Sequence, residues 1–201
     1  ERRPDPRMVP SPPGRSINIA VSERGWQVLE ELGLDHTVRA MALPLHRRLV
    51  HPAEGNPQSV PYGRAGEQIW AVQRTELARL LLERASNHPN VSFAFGLRCR
   101  QVDLSEPKML VEDEHGHQQW LRAEKIIATD GAYSGVRQSL QHDGMEFEEL
   151  RLPIGYKEIR IPQHANLPRD AFHVWPRGPL FFGAFPNRDG SATGAIYLPH
   201  T

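Results

Sequence analysis

Apolar residues recur at helical spacing in several stretches of the chain. Ser22 stands where an N-cap would, ahead of a stripe of Trp26, Leu29 and Leu32 that Gly33 ends. A short helix is predicted next over 35–41. The strongest pattern covers about 75–87, with Leu77, Leu80, Leu81 and Ala85 as its buried face and Arg79, Glu83 and Arg84 outside. Ser134 caps a last helix over 135–140. Strand patterns mark 47–51, 60–62, 69–72, 98–103, 109–112 and 120–122. Residues 91–95 alternate as a half-buried strand, and 125–128 read as a fully buried one. From Gly155 onward the pattern is β throughout, over 156–161, 171–175, 180–185 and 192–198. Prolines at 4, 6, 10, 12 and 13 exclude a regular helix from 4–14.

These elements predict a two-part α+β (or α/β) architecture. Strands and helices mix over residues 1–150, and an antiparallel sheet fills 151–201. The boundary falls near 141–154, where Gln141-His142-Asp143-Gly144 marks an exposed turn.

Charge and composition narrow the function. In 201 residues, 24 Lys and Arg balance 24 Asp and Glu, so no nucleic-acid partner is expected, because such partners call for clustered basic charge. One cysteine cannot form an internal disulfide, which excludes a secreted disulfide scaffold. No apolar run approaches the ~18 residues of a membrane span, and the N-terminus lacks the apolar segment of a signal peptide. A soluble, cytoplasmic protein is expected. The first residue is Glu1 and the last strand-like run ends just before Thr201, so a piece of a longer protein is expected too. His115-Gly116-His117 has no matching pair of metal ligands elsewhere, and no serine lies in a nucleophile elbow; neither a metal site nor a hydrolase is expected.

Candidate chemistry begins at 126–137, Ile-Ile-Ala-Thr-Asp-Gly-Ala-Tyr-Ser-Gly-Val-Arg. A strand, a Gly turn and a capped helix aim backbone N–H groups at an anion such as a pyrophosphate, with Asp130 placed to orient a ribose or a phosphate-bound water. A strand–turn–helix with a capping serine and no ligand accounts for the same pattern. This segment resembles the Asp-Gly motif of the single-component flavoprotein aromatic hydroxylases, although Ala128 and Thr129 replace the Gly and small residue usual there. The opening run Glu1-Arg2-Arg3-Pro4-Asp5-Pro6-Arg7 and residues 14–25 resemble the kynurenine-hydroxylating members of that family, as do Arg47-Arg48-Leu49-Val50-His51 and Pro61-Tyr62-Gly63-Arg64. Further matches run through 152–158, with Ile154 where those members carry His, and through 173–178 and 184–187.

The resemblance implies a partial FAD-binding flavoprotein-hydroxylase fold. Residues 1–150 would form part of the FAD-binding domain, with substrate-contacting strands inserted at about 44–73, and 151–201 part of the substrate sheet. It implies FAD and NADPH as cofactors and L-kynurenine and O2 as substrates. NADPH reduces the flavin, O2 adds to give a C4a-hydroperoxide, and the aromatic ring is hydroxylated. Arg48 and Tyr62 would hold the substrate carboxylate, with Phe172, Gly183, Phe185 and Tyr197 facing the substrate. Glu1, Arg2, Arg3, Ala20, Arg74, Cys99, Asp130, Gly131 and Gly135 would contact the cofactors. No side chain need act as a catalytic base. Two readings stay open: a related hydroxylase of another aromatic carboxylate, and a non-catalytic fragment that binds no flavin. Oligomeric state, including a homodimer, is also open.

Overall fold

The computed structural model describes residues 1–9 and 17–199; Pro10, Pro12 and Pro13 of the expected loop lie outside them. Two compact units are present: Glu1–Pro10 with Arg84–Arg151, and Ser11–Glu83 with Leu152–Thr201. In chain order the first elements are β1 (Asn18–Val21), α1 (Glu23–Glu31), α2 (Asp35–Met41), β2 (Leu43–Leu45), β3 (Arg47–Val50), β4 (Gln58–Pro61), β5 (Ile69–Gln73) and α3 (Arg74–Ser86). Then follow β6 (Arg98–Asp103), β7 (Lys108–Glu112), β8 (Gln118–Arg122) and α4 (Gly135–His142). The last strands are β9 (Ile154–Ile161), β10 (Ala171–Arg177), β11 (Leu180–Pro186) and β12 (Ala192–Pro199). Among the described residues no helix is long and apolar enough to cross a membrane.

The unit of Ser11–Glu83 and Leu152–Thr201 holds two sheets. In the order β1–β5–β2, period-two alternation sends Ile19, Val21, Trp70 and Val72 to one face. There α1 and α2 bury Trp26, Leu29, Leu34, Val38 and Ala42 against Val21 and Val72. Arg39 stacks its guanidinium 4.3 Å from the Trp26 ring centre, and Trp26 meets Trp70 edge-on at 5.6 Å. The second sheet runs β4–β3–β10–β11–β12–β9 and is antiparallel except at β3–β10, where Arg47 to Val50 pair in parallel with Ala171 to Val174.

That seam is reinforced by side chains. Arg47 pairs with Asp170 at 3.0 Å, and the His51 amide donates to Val174 O at 2.7 Å. His173 is fully buried, and its Nε2 lies 2.8 Å from Pro168 O. A carbonyl only accepts, so Nε2 carries the proton and Nδ1 accepts from His51 Nε2 at 3.0 Å. Burial pushes both imidazoles below their ordinary pKa, so the bonded pair is neutral at pH 7. Trp175 stacks on His51 at 4.4 Å.

The other unit holds the sheet β6–β7–β8, and α4 packs on β6. The Ser139 hydroxyl donates to Val102 O and accepts from Val102 N, both at 3.1 Å. A Cβ on Gly135 would lie 2.6 Å from Cys99 O, so only glycine lets the helix start this close.

Several expectations need correction. Residues 91–95 are not a strand: the amide of Gly96 donates to Arg3 O and that of Leu97 to Glu1 O, and these two bonds form no ladder. Residues 125–128 form no strand, and Ile127 is 88 % exposed. An apolar run becomes a buried strand only where neighbours cover it, and none of the described strands pairs with this one. Helix α3 has no buried residue: of its expected buried face, Leu77, Leu80 and Ala85 are half-buried and Leu81 is exposed. Ser22 sits at the N-cap of α1 without a side-chain capping bond. Strands β1 and β2 were not expected at all. Leu32, expected on the α1 stripe, is 39 % exposed, whereas Leu29 is 5 % exposed. Leu29→Ala should therefore destabilise the protein by about 2–5 kcal/mol and Leu32→Ala by at most about 0.5 kcal/mol, measured by urea unfolding.

Candidate functional site

The register of the six-stranded sheet puts the expected substrate residues on one face. Arg48 lies opposite Phe172, Val174 opposite Gly183, and Gly183 opposite Ala195. Phe185 faces Thr193, and Tyr197 lies between Phe181 and Tyr156. All of these side chains share the parity of Arg48. The opposite face carries His173, Ala184 and Trp175.

At one end of this face the Arg48 guanidinium lies over the Tyr62 ring, 5.1 Å from its centre. Arg48 is exposed and Tyr62 half-buried. Burial pushes the phenol of Tyr62 up, and a hydrogen bond and the charge of Arg48 partly oppose the shift. The pair presents a planar, permanently charged fork beside a neutral phenolic donor, a combination suited to a carboxylate. Next to it, Phe172 and Phe185 stack at 4.2 Å with their planes 25° apart. Tyr197 contacts Phe181 at 5.4 Å and Tyr156 at 5.8 Å, towards the open end of the sheet.

In the same unit, Ala20 and Ala71 pair on the other face of β1–β5–β2, together with Asn18 and Gln73; Ala20 is exposed, whereas Ala71 and Asn18 are buried. A cleft of about 410 Å³ opens here, lined in part by Asn18, Ala71, Gln73, Asn187 and Arg188. Asn18 Nδ2 donates to Asn187 Oδ1 at 2.9 Å and to Pro186 O at 3.2 Å. Its Oδ1 is buried without a partner among the described residues. Arg74 opens α3 with an exposed side chain, and its amide donates to Ile17 O at 3.2 Å. Sequence reasoning missed Asn18, Gln73 and Asn187. The only available signal was an asparagine opening an apolar run, Asn18-Ile19-Ala20-Val21.

In the other unit Cys99, Asp130 and Gly135 come together. Asp130 accepts from the Ser134 hydroxyl at 2.7 Å and the Val136 amide at 3.3 Å. Ser134 in turn accepts from the Arg137 amide at 2.9 Å, so Asp130 and Ser134 cap α4 jointly. Burial pulls the Asp130 carboxyl up, but these bonds outweigh it and hold it below the ordinary range. Burial raises the Cys99 thiol, and the charge of Asp130 adds to the rise. Gly131 has φ +84° with open space where a Cβ would project. Glu1, Arg2 and Arg3 are exposed and run beside 94–97, with Glu1 N donating to Ala94 O at 3.0 Å and Leu97 N to Glu1 O at 3.1 Å.

The open backbone at Gly131, just before a capped helix, suits close approach of a ligand. The fold is that of the flavoprotein hydroxylases. The structure resembles p-nitrophenol 4-monooxygenase PnpA from Pseudomonas putida DLL-E4 with a TM-score of 0.75, at 16% identity over 94% of this chain and 49% of that one. Residues 11–189 match the family model described as FAD binding domain, and the chain belongs to that family. It is 35% identical to kynurenine 3-monooxygenase of Flavobacterium johnsoniae over 99% of this chain and 45% of that protein. It is 38% identical to kynurenine 3-monooxygenase of Salinispora tropica over 100% of this chain and 46% of that protein. The chain thus spans about half the length of the curated relatives it matches.

The raised Tyr62 pKa has a consequence for stability. Below the ordinary value near 10 the neutral phenol carries no ionisation penalty; above it the unfolded chain ionises first and stability falls. Urea unfolding from pH 8 to 11 should show a steeper decline for the native protein than for Tyr62→Phe.

Proposed function

We propose that this chain is the substrate-binding and partial FAD-binding portion of a cytoplasmic, FAD-dependent aromatic monooxygenase. It uses NADPH and O2 to hydroxylate L-kynurenine to 3-hydroxykynurenine. The observation that carries this is the Arg48–Tyr62 pair at the edge of the Phe172–Phe185 floor: an anion grip next to an aromatic platform. Bound FAD supplies the oxygen-transfer chemistry.

The chain's own residues bind, orient and exclude water. Arg48 pairs with the substrate carboxylate through charge-assisted hydrogen bonds worth roughly 1.5–3 kcal/mol each. Tyr62, kept neutral by its surroundings, donates a directional hydrogen bond to the same group. With that end fixed, the aryl ring rests on the apolar floor, where its position sets which carbon meets the oxidant. Phe172, Phe185 and Tyr197 would exclude water from the region where the ring reacts. The residues proposed to contact the cofactors are Glu1, Arg2, Arg3, Ala20, Arg74, Cys99, Asp130, Gly131 and Gly135. Asp130 acts by holding the turn at Gly131 and the start of α4 in place.

In the intact, flavin-loaded protein, Arg48→Ala should raise the KM for L-kynurenine roughly 10- to 150-fold, the equivalent of one lost charge-assisted bond, with flavin retained. An unchanged KM would remove Arg48 from the site. Glu1→Ala and Arg74→Ala should lower flavin retention measured by visible absorbance. Turnover of anthranilate or hydroxybenzoate in preference to L-kynurenine would move the protein to a different aromatic acid.

A further inference from the structure

Gly183 is buried in the middle of β11, where nothing in its backbone calls for glycine: its φ is not positive. The demand comes from a ring. A Cβ on Gly183 would lie 2.7 Å from Phe172 Cζ, 3.2 Å from Phe172 Cε2 and 3.1 Å from Phe181 Cε1. Phe172, rooted on β10, leans across the interstrand gap and fills the position a side chain at 183 would occupy. It cannot swing aside freely, because Phe185 stacks on it at 4.2 Å. The opposite face of the sheet repeats the device: a Cβ on Gly194 would lie 2.6 Å from Phe182 Cζ. Only the Phe172 copy shares a face with Arg48.

We infer that the Phe172–Gly183 pair sets the depth of the floor under the substrate ring and thereby limits the size of ring accepted, an inference resting on the hydroxylase function proposed above. Adjacent strands lie about 4.8 Å apart, so β10 and β11 are roughly 5 and 10 Å from the column of Arg48. An aryl ring joined to an amino-acid head by a linker of two or three atoms reaches this span. With Phe172 seated on Gly183, the floor is shallow and aromatic. It supports the edge of an aryl ring such as the aminophenyl group of L-kynurenine and leaves no recess for a further in-plane substituent on that edge. Removing the Phe172 ring uncovers the bare backbone of Gly183 and creates that recess. Adding a methyl at 183 lifts the Phe172 ring into the substrate's space.

The test uses the intact, flavin-loaded protein. Dissociation constants come from the flavin absorbance change on binding, alongside kcat/KM, for L-kynurenine and for L-kynurenine methylated on its ring. Phe172→Ala should shift preference towards the methylated compound by about 10-fold or more, the low end of what one methyl is worth in an apolar pocket. Gly183→Ala should weaken binding of both compounds. The double variant Phe172→Leu with Gly183→Ala, which trades ring volume for the added methyl, should restore L-kynurenine binding to within a few-fold of native. If the native protein binds L-kynurenine but folded Phe172→Ala and the double variant both keep its preference and affinity, the pair does not form the floor and the inference falls alone. If the native protein fails to bind L-kynurenine, the proposed function falls and takes this assignment with it. Should Gly183→Ala fail to fold, Phe172→Ala and the double variant decide the question.

Discussion

Four residue pairs between β3 and β10 hold Arg48 beside Phe172. The β3–β4 hairpin could not place an anion grip against an aromatic platform by itself, because every platform residue lies on later strands. Parallel pairing is slightly weaker per residue than antiparallel pairing, and this short seam has added fastenings. The Arg47–Asp170 ion pair is part-exposed and contributes at most about 1 kcal/mol. The His51–His173 bond is better protected, and leaving one buried partner unsatisfied there costs roughly 1–3 kcal/mol. The geometry of the candidate site therefore depends on groups on the far face of the sheet from any substrate.

The cofactor side rests on a different device. Asp130 spends two of its acceptor positions on Ser134 and Val136, and Gly135 lets α4 approach β6 to within backbone contact. Both features fix the start of α4, where the Val136 and Arg137 amides are taken by Asp130 and Ser134.

Much of this fold could be read from residue patterns, and the exceptions share a cause. Strands β9 to β12 are long enough for period-two alternation to declare itself, and α4 announces its own cap at Ser134. Strands β1 and β2, with four and three residues, are too short for any period. Residues 91–95 and 125–128 show the opposite failure, since alternation and apolarity describe a face but do not supply a partner. The site divides similarly. Arg48 and Tyr62 look like ordinary surface residues until a family resemblance singles them out. The Asn18–Asn187 bond joins positions 169 apart, and the Phe172–Gly183 contact depends on two rings leaning across strands. No local spacing encodes either.

The unit of Ser11–Glu83 and Leu152–Thr201 also has a history on the ribosome. Its second stretch begins at Leu152, so β3 and β4 emerge long before the strand that completes their sheet; Arg47 waits 123 residues for Asp170. Until then they form at best a two-stranded ribbon, marginal in water, with the open edge of β3 free to pair with any passing strand. The edge of β3 therefore stays unpaired in the nascent chain until β10 (Ala171–Arg177) has followed it.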